Sequence, residues 1–327
     1  MIRAAIDTSV LAQTRAGTAR YLKGLLRQLE HRDDITVTAR HFGGASRAAA
    51  FARDSVWYPL VLGREHRSDV LHCPTYRGPI GTRTPLVVTV HDLAVLRHPE
   101  TFNRWTRTYS PRVVPRVLRT ARRIIAVSEF TRRELVELLD VSPDKITVIP
   151  NGVEDEFTRE GPTASGDYVL AVGTLEPRKN LGRLVEATQS SGVELRVVGA
   201  RGWGDVEVGG NGVRWLGEVD DAELARLYRG AVCLAYPSLY EGFGIPVLEA
   251  MACGAPVVTT RGSAMEELAD GAAVLVDAYD PAEIAAGIER AAADRDQLVA
   301  RGFERAQTFR WEDIADATVR VYREAAA

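Results

Sequence analysis

Cysteine is scarce in this chain: three residues among 327, Cys73, Cys233 and Cys253, with no paired spacing. That argues against a disulfide framework and against a zinc site, and leaves three thiols that read as buried, small and apolar. Long apolar runs are missing too. Stretches such as Tyr168 to Val172 and Val232 to Tyr236 are far too short for a spanning helix. The chain opens on Met1-Ile2-Arg3-Ala4-Ala5-Ile6-Asp7, which reads as a buried strand closed by an acid and not as a signal peptide. No repeat of solenoid length is visible. Six histidines are dispersed without ligand spacing, and the Asp-x-Asp spelling Asp294-Arg295-Asp296 falls in an Ala-rich helical stretch, so no metal is expected.

What is present is an ordinary globular composition, 46% hydrophobic and 26% charged, long enough for two α/β domains. The net charge of −3 hides a division: 25 Lys and Arg against 18 Asp and Glu in residues 1–160, and 16 against 26 in residues 161–327. Two domains of opposite sign are therefore expected. Short β-branched runs alternate with helical patterns throughout, which marks parallel sheets covered by helices. Strands are expected from Ile2 to Asp7, Ile35 to Ala39, Val70 to His72, Leu86 to His91, Ile124 to Val127 and Ile146 to Ile149. A second set runs from Tyr168 to Val172, Glu194 to Gly199, Val213 to Leu216, Val232 to Tyr236, Pro256 to Thr260 and Ala273 to Val276. The expected architecture is two doubly wound parallel sheets facing a cleft, a domain over residues 1–155 and a second over 166–305. The polar stretch from Glu154 to Asp167, with Gly161-Pro162 and Ser165-Gly166, reads as the linker. Residues 306–327 read as a last helix carrying Trp311 and Tyr322, which either finishes the second domain or packs back on the first.

Two loops carry chemistry. Ser238-Leu239-Tyr240-Glu241-Gly242-Phe243-Gly244-Ile245-Pro246-Val247-Leu248-Glu249 follows a strand and leads into a helix. Pro246 suits the first helical position, Gly254 the close, and bare backbone at Gly242 and Gly244 lets a ligand reach amide groups. The helix start favours a phosphate, and the carboxylates of Glu241 and Glu249 beside it suit sugar or ribose hydroxyls. A Gly-rich turn with two solvated glutamates is the bland alternative. Gly173-Thr174-Leu175-Glu176-Pro177-Arg178-Lys179-Asn180 again follows a strand. Adjacent cations there neutralise a diphosphate and stabilise charge growing on a departing phosphate; an exposed basic turn capped by Asn180 is the alternative. Two such loops at strand ends of one sheet point to one crevice.

The pair Glu241 and Glu249, seven residues between them and Gly-Phe-Gly-Ile-Pro in the filling, resembles the Glu-x7-Glu element of family 4 retaining glycosyltransferases. Gly173 to Asn180 is similar to that family's diphosphate loop, and the likeness covers essentially the whole chain. It implies a GT-B fold, two Rossmann-like domains, a nucleotide-diphosphate sugar (GDP-, UDP- or dTDP-linked) as co-substrate and no cofactor or metal. It places Arg178 and Lys179 on the donor diphosphate, Glu241 on the donor sugar, the amides of Phe243, Gly244 and Ile245 on sugar and phosphate, Glu249 on the ribose and Val219 beside the base. Val219 is equally a helix lead-in capped by Asp220.

In the first domain His91 ends a strand in Val88-Thr89-Val90-His91-Asp92 and is similar to the family's sugar-facing histidine. Neighbours on a strand point to opposite faces, so a dyad with Asp92 is not expected. Gly17, grouped with the donor-binding set, and Arg20 lie in a stretch resembling the family's glycine-rich loop, where this chain has Ala19 in place of a second glycine. Ser128 either lines the cleft or caps the next helix. Ten arginines lie between Arg97 and Arg133 with Trp105 and Tyr109 among them, and Arg112, Arg116, Arg119 and Arg123 recur at helical spacing. That describes an exposed helix face or a seat for a lipid-linked acceptor or an anionic membrane, with nucleic acid not expected. The His91-Asp92 segment resembles bacterial mannosyl- and rhamnosyl-type transferases of polysaccharide assembly, and the likeness implies a hexosyltransferase, expected to be cytoplasmic and peripheral to the inner membrane face. A sugar-nucleotide epimerase or hydrolase on the same scaffold and a silent nucleotide-binding module are the other readings.

Overall fold

The computed structural model describes all residues except 14–16, 45, 103 and 203–211. The chain divides into two compact units, Met1–Gly152 with Arg310–Ala327, and Val153–Phe309. Each contains a six-stranded parallel sheet, because both sets of strands are nearly continuous apolar runs that need cover on two faces.

The first unit holds β1 (Ile2–Asp7), β2 (Ile35–Arg40), β3 (Val70–Cys73), β4 (Leu86–Val90), β5 (Arg123–Ala126) and β6 (Ile146–Val148) in the order β2-β1-β3-β4-β5-β6. Its helices are α1 (Gly17–Glu30), α2 (Arg47–Ala52), α3 (Ala94–Arg97), α4 (Arg104–Thr120) and α5 (Glu129–Leu139), and a π-helical segment, Arg53–Val61, continues α2. The second unit holds β7 (Tyr168–Val172), β8 (Glu194–Val198), β9 (Val213–Gly217), β10 (Cys233–Tyr236), β11 (Val257–Thr260) and β12 (Val274–Val276) in the order β12-β11-β10-β7-β8-β9. Its helices are α6 (Leu181–Ser191), α7 (Asp221–Gly230), α8 (Ile245–Ala252), α9 (Ala264–Ala269), α10 (Pro281–Ala293) and α11 (Arg295–Ala306), and α12 (Trp311–Ala326) completes the first unit. Every expected strand is found, with ends within one residue.

In each sheet the order in which strands are added reverses once. Strand order turns at the β1/β3 neighbours in the first unit and at β7/β10 in the second, which opens a crevice at the carboxyl ends of those strands.

Two features differ from expectation, and the sequence left a third, the last helix, open between two positions. Residues 154–167 have no regular structure but are not a loose tether: Phe157 packs edge-on to Tyr228 at 6.0 Å, Ala164 N–H donates to the Arg226 carbonyl, and Arg229 donates to the carbonyls of Thr158 and Pro162. Arg123 is not on the basic helix, which ends at Thr120; it opens β5 and donates to the Asp144 carbonyl. Finally, α12 is held to the first sheet by a buried chain of hydrogen bonds. The Tyr322 hydroxyl lies 2.7 Å from His72 Nδ1, His72 Nε2 lies 2.8 Å from Thr89 Oγ1, and Thr89 Oγ1 lies 3.1 Å from the Tyr21 hydroxyl. Burial lowers the His72 pKa to about 3, so the ring is neutral and offers one donor and one acceptor to that chain.

Candidate functional site

The loops after β7 and β10 meet at the switch point of the second sheet. Backbone ties them: Leu239 N–H donates to the Arg178 carbonyl at 2.8 Å. Asn180, buried and left-handed at φ 58°, does not cap α6 with its side chain. Its amide instead donates to the carbonyls of Pro237 (3.1 Å) and Ala278 (2.6 Å), so one side chain gathers the chain segments that follow β7, β10 and β12.

Lys179 is at the centre. Its Nζ lies 2.5 Å from Glu241 Oε1 and 2.5 Å from the Tyr236 hydroxyl, with side-chain exposure of 13% for the lysine and 14% for the glutamate. Glu241 Oε1 also accepts from the hydroxyls of Tyr236 and Ser238, each at 3.1 Å. Burial alone would pull the ammonium down, but Glu241 and Tyr236 outweigh it and hold Lys179 above the usual lysine range. The same balance works in reverse on the acid: burial pushes Glu241 up, and Lys179 and Arg178 overcome that and hold it below the usual glutamate range. Burial and the neighbouring Glu241 push the Tyr236 hydroxyl up to about 12. The site therefore holds a charged lysine and a charged carboxylate at neutral pH.

Arg178 is anchored beside them, with Nη2 2.5 Å from buried Glu176 and Nη1 2.8 Å from the Tyr240 carbonyl, leaving Glu241 at 3.9 Å. This is no exposed basic turn. Gly173 leaves β7 at φ 144°, and a Cβ there would lie 3.0 Å from the Lys179 side chain. Gly244 caps α8 at φ 105°, where a Cβ would press on Met265 at 2.8 Å. Glycine at both positions admits the loop path and bare amides.

Phe243 is buried edge-on to Phe309 at 5.9 Å, Ile245 opens α8, and Pro246 takes its second position rather than the first. Glu249 faces inward from α8 with 3% exposure and accepts from the Tyr228 hydroxyl at 2.9 Å. Val219, half-buried, precedes Asp220, which accepts from Glu223 N–H and caps α7. Asp294 and Asp296 sit at the junction of α10 and α11, outside this cluster.

In the first unit His91 follows β4 and its Nε2–H donates to the Pro74 carbonyl at 3.0 Å, while the Tyr21 ring meets it edge-on at 4.9 Å. Burial lowers the His91 pKa, the Pro74 carbonyl and Asp92 opposing it only in part. Asp92 accepts from Ala94 N–H at the start of α3 and forms no dyad with the histidine. Ser128 caps α5, its Oγ accepting from Thr131 N–H at 3.0 Å. Gly17 opens α1 and Arg20 lies one turn further on; Arg15 and Ala16 lie outside the described residues.

Two family profiles match the chain: "Glycosyltransferase Family 4" over residues 15–157 and "Glycosyl transferases group 1" over 166–294. The O-antigen chain mannosyltransferase B of Escherichia coli is 32% identical over 80% of this chain and 75% of its own length. The chain belongs to glycosyltransferase family 4. A D-inositol 3-phosphate glycosyltransferase of Acidothermus cellulolyticus is 30% identical over 90% of this chain and 74% of its own length. The solved structure of Anabaena HepE in complex with UDP and glucose superposes with a TM-score of 0.77 at 18% identity, covering 98% of this chain and 99% of that one. The fold of this family 4 hexosyltransferase is GT-B.

Several members of the family 4 cluster carry no motif of their own. Tyr236 and Ser238 bracket a strand end, Glu176 sits among the loop's apolar and basic letters, and Tyr228 is 21 residues before its partner Glu249. The usable signal was an aromatic hydroxyl at the last position of β10, directly before a carboxylate loop.

Proposed function

We propose that this glycosyltransferase moves a hexosyl group, with retention at the anomeric carbon, from a nucleotide-diphosphate sugar to a sugar or lipid-linked acceptor. The observation that carries the reading is the partly buried Lys179–Glu241 pair at the β7/β10 switch point. Breaking the sugar–phosphate bond leaves negative charge on the nucleoside diphosphate. Lys179 and Arg178, already charged and fixed by Glu241, Glu176 and the Tyr240 carbonyl, stabilise that charge without reorganising. Glu241 accepts hydrogen bonds from donor-sugar hydroxyls, the amides at the start of α8 take phosphate and sugar oxygens, and Glu249 takes the ribose while Val219 borders the base. Neutral His91, its Nε2 proton spent on Pro74, offers Nδ1 as an acceptor to a sugar hydroxyl. GDP, UDP and dTDP are separated by a thermal-shift screen of the protein with each, since a ligand that binds only the folded state raises its stability. The family likeness implies no metal, and activity unchanged by chelator is the expected result.

Glu249→Ala is expected to weaken affinity for the stabilising nucleotide by about tenfold or more, the range of a lost hydrogen bond to a charged group. Tyr228→Phe, which keeps the carboxylate, should weaken it less. Calorimetry with unchanged affinity for the alanine variant contradicts the ribose assignment.

A peripheral contact with the inner face of an anionic membrane is supported by one surface. Among the described residues eight large apolar side chains are exposed, and six of them, Phe51, Val56, Leu60, Val61, Ile80 and Trp105, come from neighbouring elements of the first unit. Phe51 meets Trp105 at 5.6 Å, and Thr120 of α4 donates to the Ile80 carbonyl. Exposed Arg104, Arg107, Arg112, Arg116 and Arg119 run along the same helix. No helix among the described residues is long and apolar enough to cross a membrane, so attachment would be by insertion and charge. Arg116→Glu with Arg119→Glu is expected to abolish flotation with phosphatidylglycerol vesicles; undiminished flotation makes the arginines a mere surface.

A further inference from the structure

Behind His91 the first unit buries four polar side chains that the transfer chemistry does not use. Tyr21 of α1, His72 of β3, Thr89 of β4 and Tyr322 of α12 are all shut away from water. Hydrogen bonds run unbroken from the Tyr322 hydroxyl through His72 and Thr89 to the Tyr21 hydroxyl. Polar groups in such a place are costly unless their partners are met. A network that meets them holds its members in one arrangement, which apolar packing does less strictly.

That arrangement leads to His91. Thr89 and His91 stand two residues apart, on one face of the strand path, and Tyr21 touches both. Its hydroxyl lies 3.1 Å from Thr89 Oγ1, and its ring meets the imidazole at 4.9 Å and 76°. The Pro74 carbonyl fixes the imidazole at one point, Nε2. One hydrogen bond leaves the ring to rock about that point, and the Tyr21 ring sets its plane. Tyr21 is itself held on two sides, by Thr89 at the hydroxyl and by Trp311, whose ring packs on it at 6.2 Å. His72 is the joint of the chain. Burial and nearby His91 both lower its pKa, to about 3, so it keeps one donor and one acceptor at any working pH.

We propose that Tyr21 is a positioning residue for the transfer reaction: it fixes the plane of His91 so that Nδ1 is presented to a sugar hydroxyl, and Thr89, His72 and Tyr322 hold it in place. This rests on the role of His91 in the glycosyltransferase reading above and deepens it.

Two variants keep a side chain of similar size and cut the tether. Tyr21→Phe removes the hydroxyl, and Thr89→Val removes the bridge between Tyr21 and His72. Turnover is read as nucleoside diphosphate released from GDP-mannose, UDP-glucose or dTDP-rhamnose, the one matching the nucleotide that stabilises the protein. Each variant should lower kcat about tenfold, since small misplacements of a contacting group are costly, while KM for the nucleotide sugar stays at the wild-type value. In a His91→Ala background Tyr21→Phe should cost nothing further, because residues that act through one another are not additive. NMR of isotope-labelled histidine gives a readout apart from turnover. The His91 signals, assigned by their loss in His91→Ala, should show one tautomer with Nε2 protonated and a ring-current displacement from Tyr21, and that displacement should shrink in both variants. Thr89→Val leaves two buried partners unmade; Tyr21→Phe spares the Thr89–His72 bond and reports even if the valine variant does not fold. The proposal is overturned if the His91 signals stay put in Tyr21→Phe, or if Tyr21→Phe costs the same with and without His91, which is what a merely structural tyrosine would do. Unchanged turnover in His91→Ala itself would sink the role of His91, and this proposal with it, and leave the Lys179 and Glu249 assignments to their own variants.

Discussion

Replacing Lys179 with alanine is expected to lower turnover by about 10²- to 10³-fold, the usual cost of removing one group that stabilises charge in the transition state. The structure adds a second consequence. Glu241 would lose the partner 2.5 Å away and keep only the hydroxyls of Tyr236 and Ser238 and the more distant Arg178. A buried carboxylate stripped of its counter-charge takes up a proton more readily, so Glu241 should move up from its depressed value, and with it the acid limb of the pH–rate profile. The sign follows from the shift. A carboxyl held below its unfolded value contributes stability above that unfolded value, and this is lost as pH falls through the folded value. The wild-type protein therefore keeps this contribution to lower pH than the variant. Lys179→Arg keeps the charge but changes its shape, and the 2.5 Å contacts to Glu241 and Tyr236 leave little room for a planar fork. Partial activity is expected there. Near-normal turnover of the alanine variant, with its fold intact by circular dichroism, would remove the loop from the chemistry.

The strands were legible because a parallel strand buried on both faces is a short β-branched apolar run bounded by glycines, prolines and acids. The two donor loops were legible for a related reason: their glycines sit at φ 144° and 105°, positions that only a bare backbone takes readily, so the residue type records the conformation. Side chains that act through distant partners left no such record. Asn180 reads as a cap, and only the fold brings the carbonyls of Pro237 and Ala278 to its amide. Ser128 reads equally as a site residue or a cap, and only the fold brings Thr131 N–H to its hydroxyl. Arg53-Asp54 looks like any solvated pair of opposite charges. Its burial depends on a π-helical turn and on Tyr58 reaching Asp7, 51 residues away, which no local pattern encodes.

The last helix is the other place where tertiary contacts overrule position in the chain, and Trp311→Ala measures by how much. Trp311 is 6% exposed and slots between two glycines, Gly24 of α1 and Gly152 at the end of the first unit's main segment. A Cβ on Gly152 would lie 2.6 Å from the indole, and one on Gly24 would overlap it, so both positions are shaped by this one ring. The ring also packs on Tyr21 at 6.2 Å, which in turn meets His91. Two glycines cannot close over the space an alanine would leave, so the cost belongs at the upper end for a buried aromatic, about 3–5 kcal/mol. With a urea dependence of roughly 2 kcal/mol/M for a unit of this size, the unfolding midpoint of the first unit should fall by about 1.5–2.5 M. Nucleotide affinity reports on the second unit and should not change in the folded variant. A midpoint shift well under 1 M would mean that α12 is held mainly by the Tyr322–His72–Thr89 hydrogen bonds, and His72→Phe would then carry the larger loss.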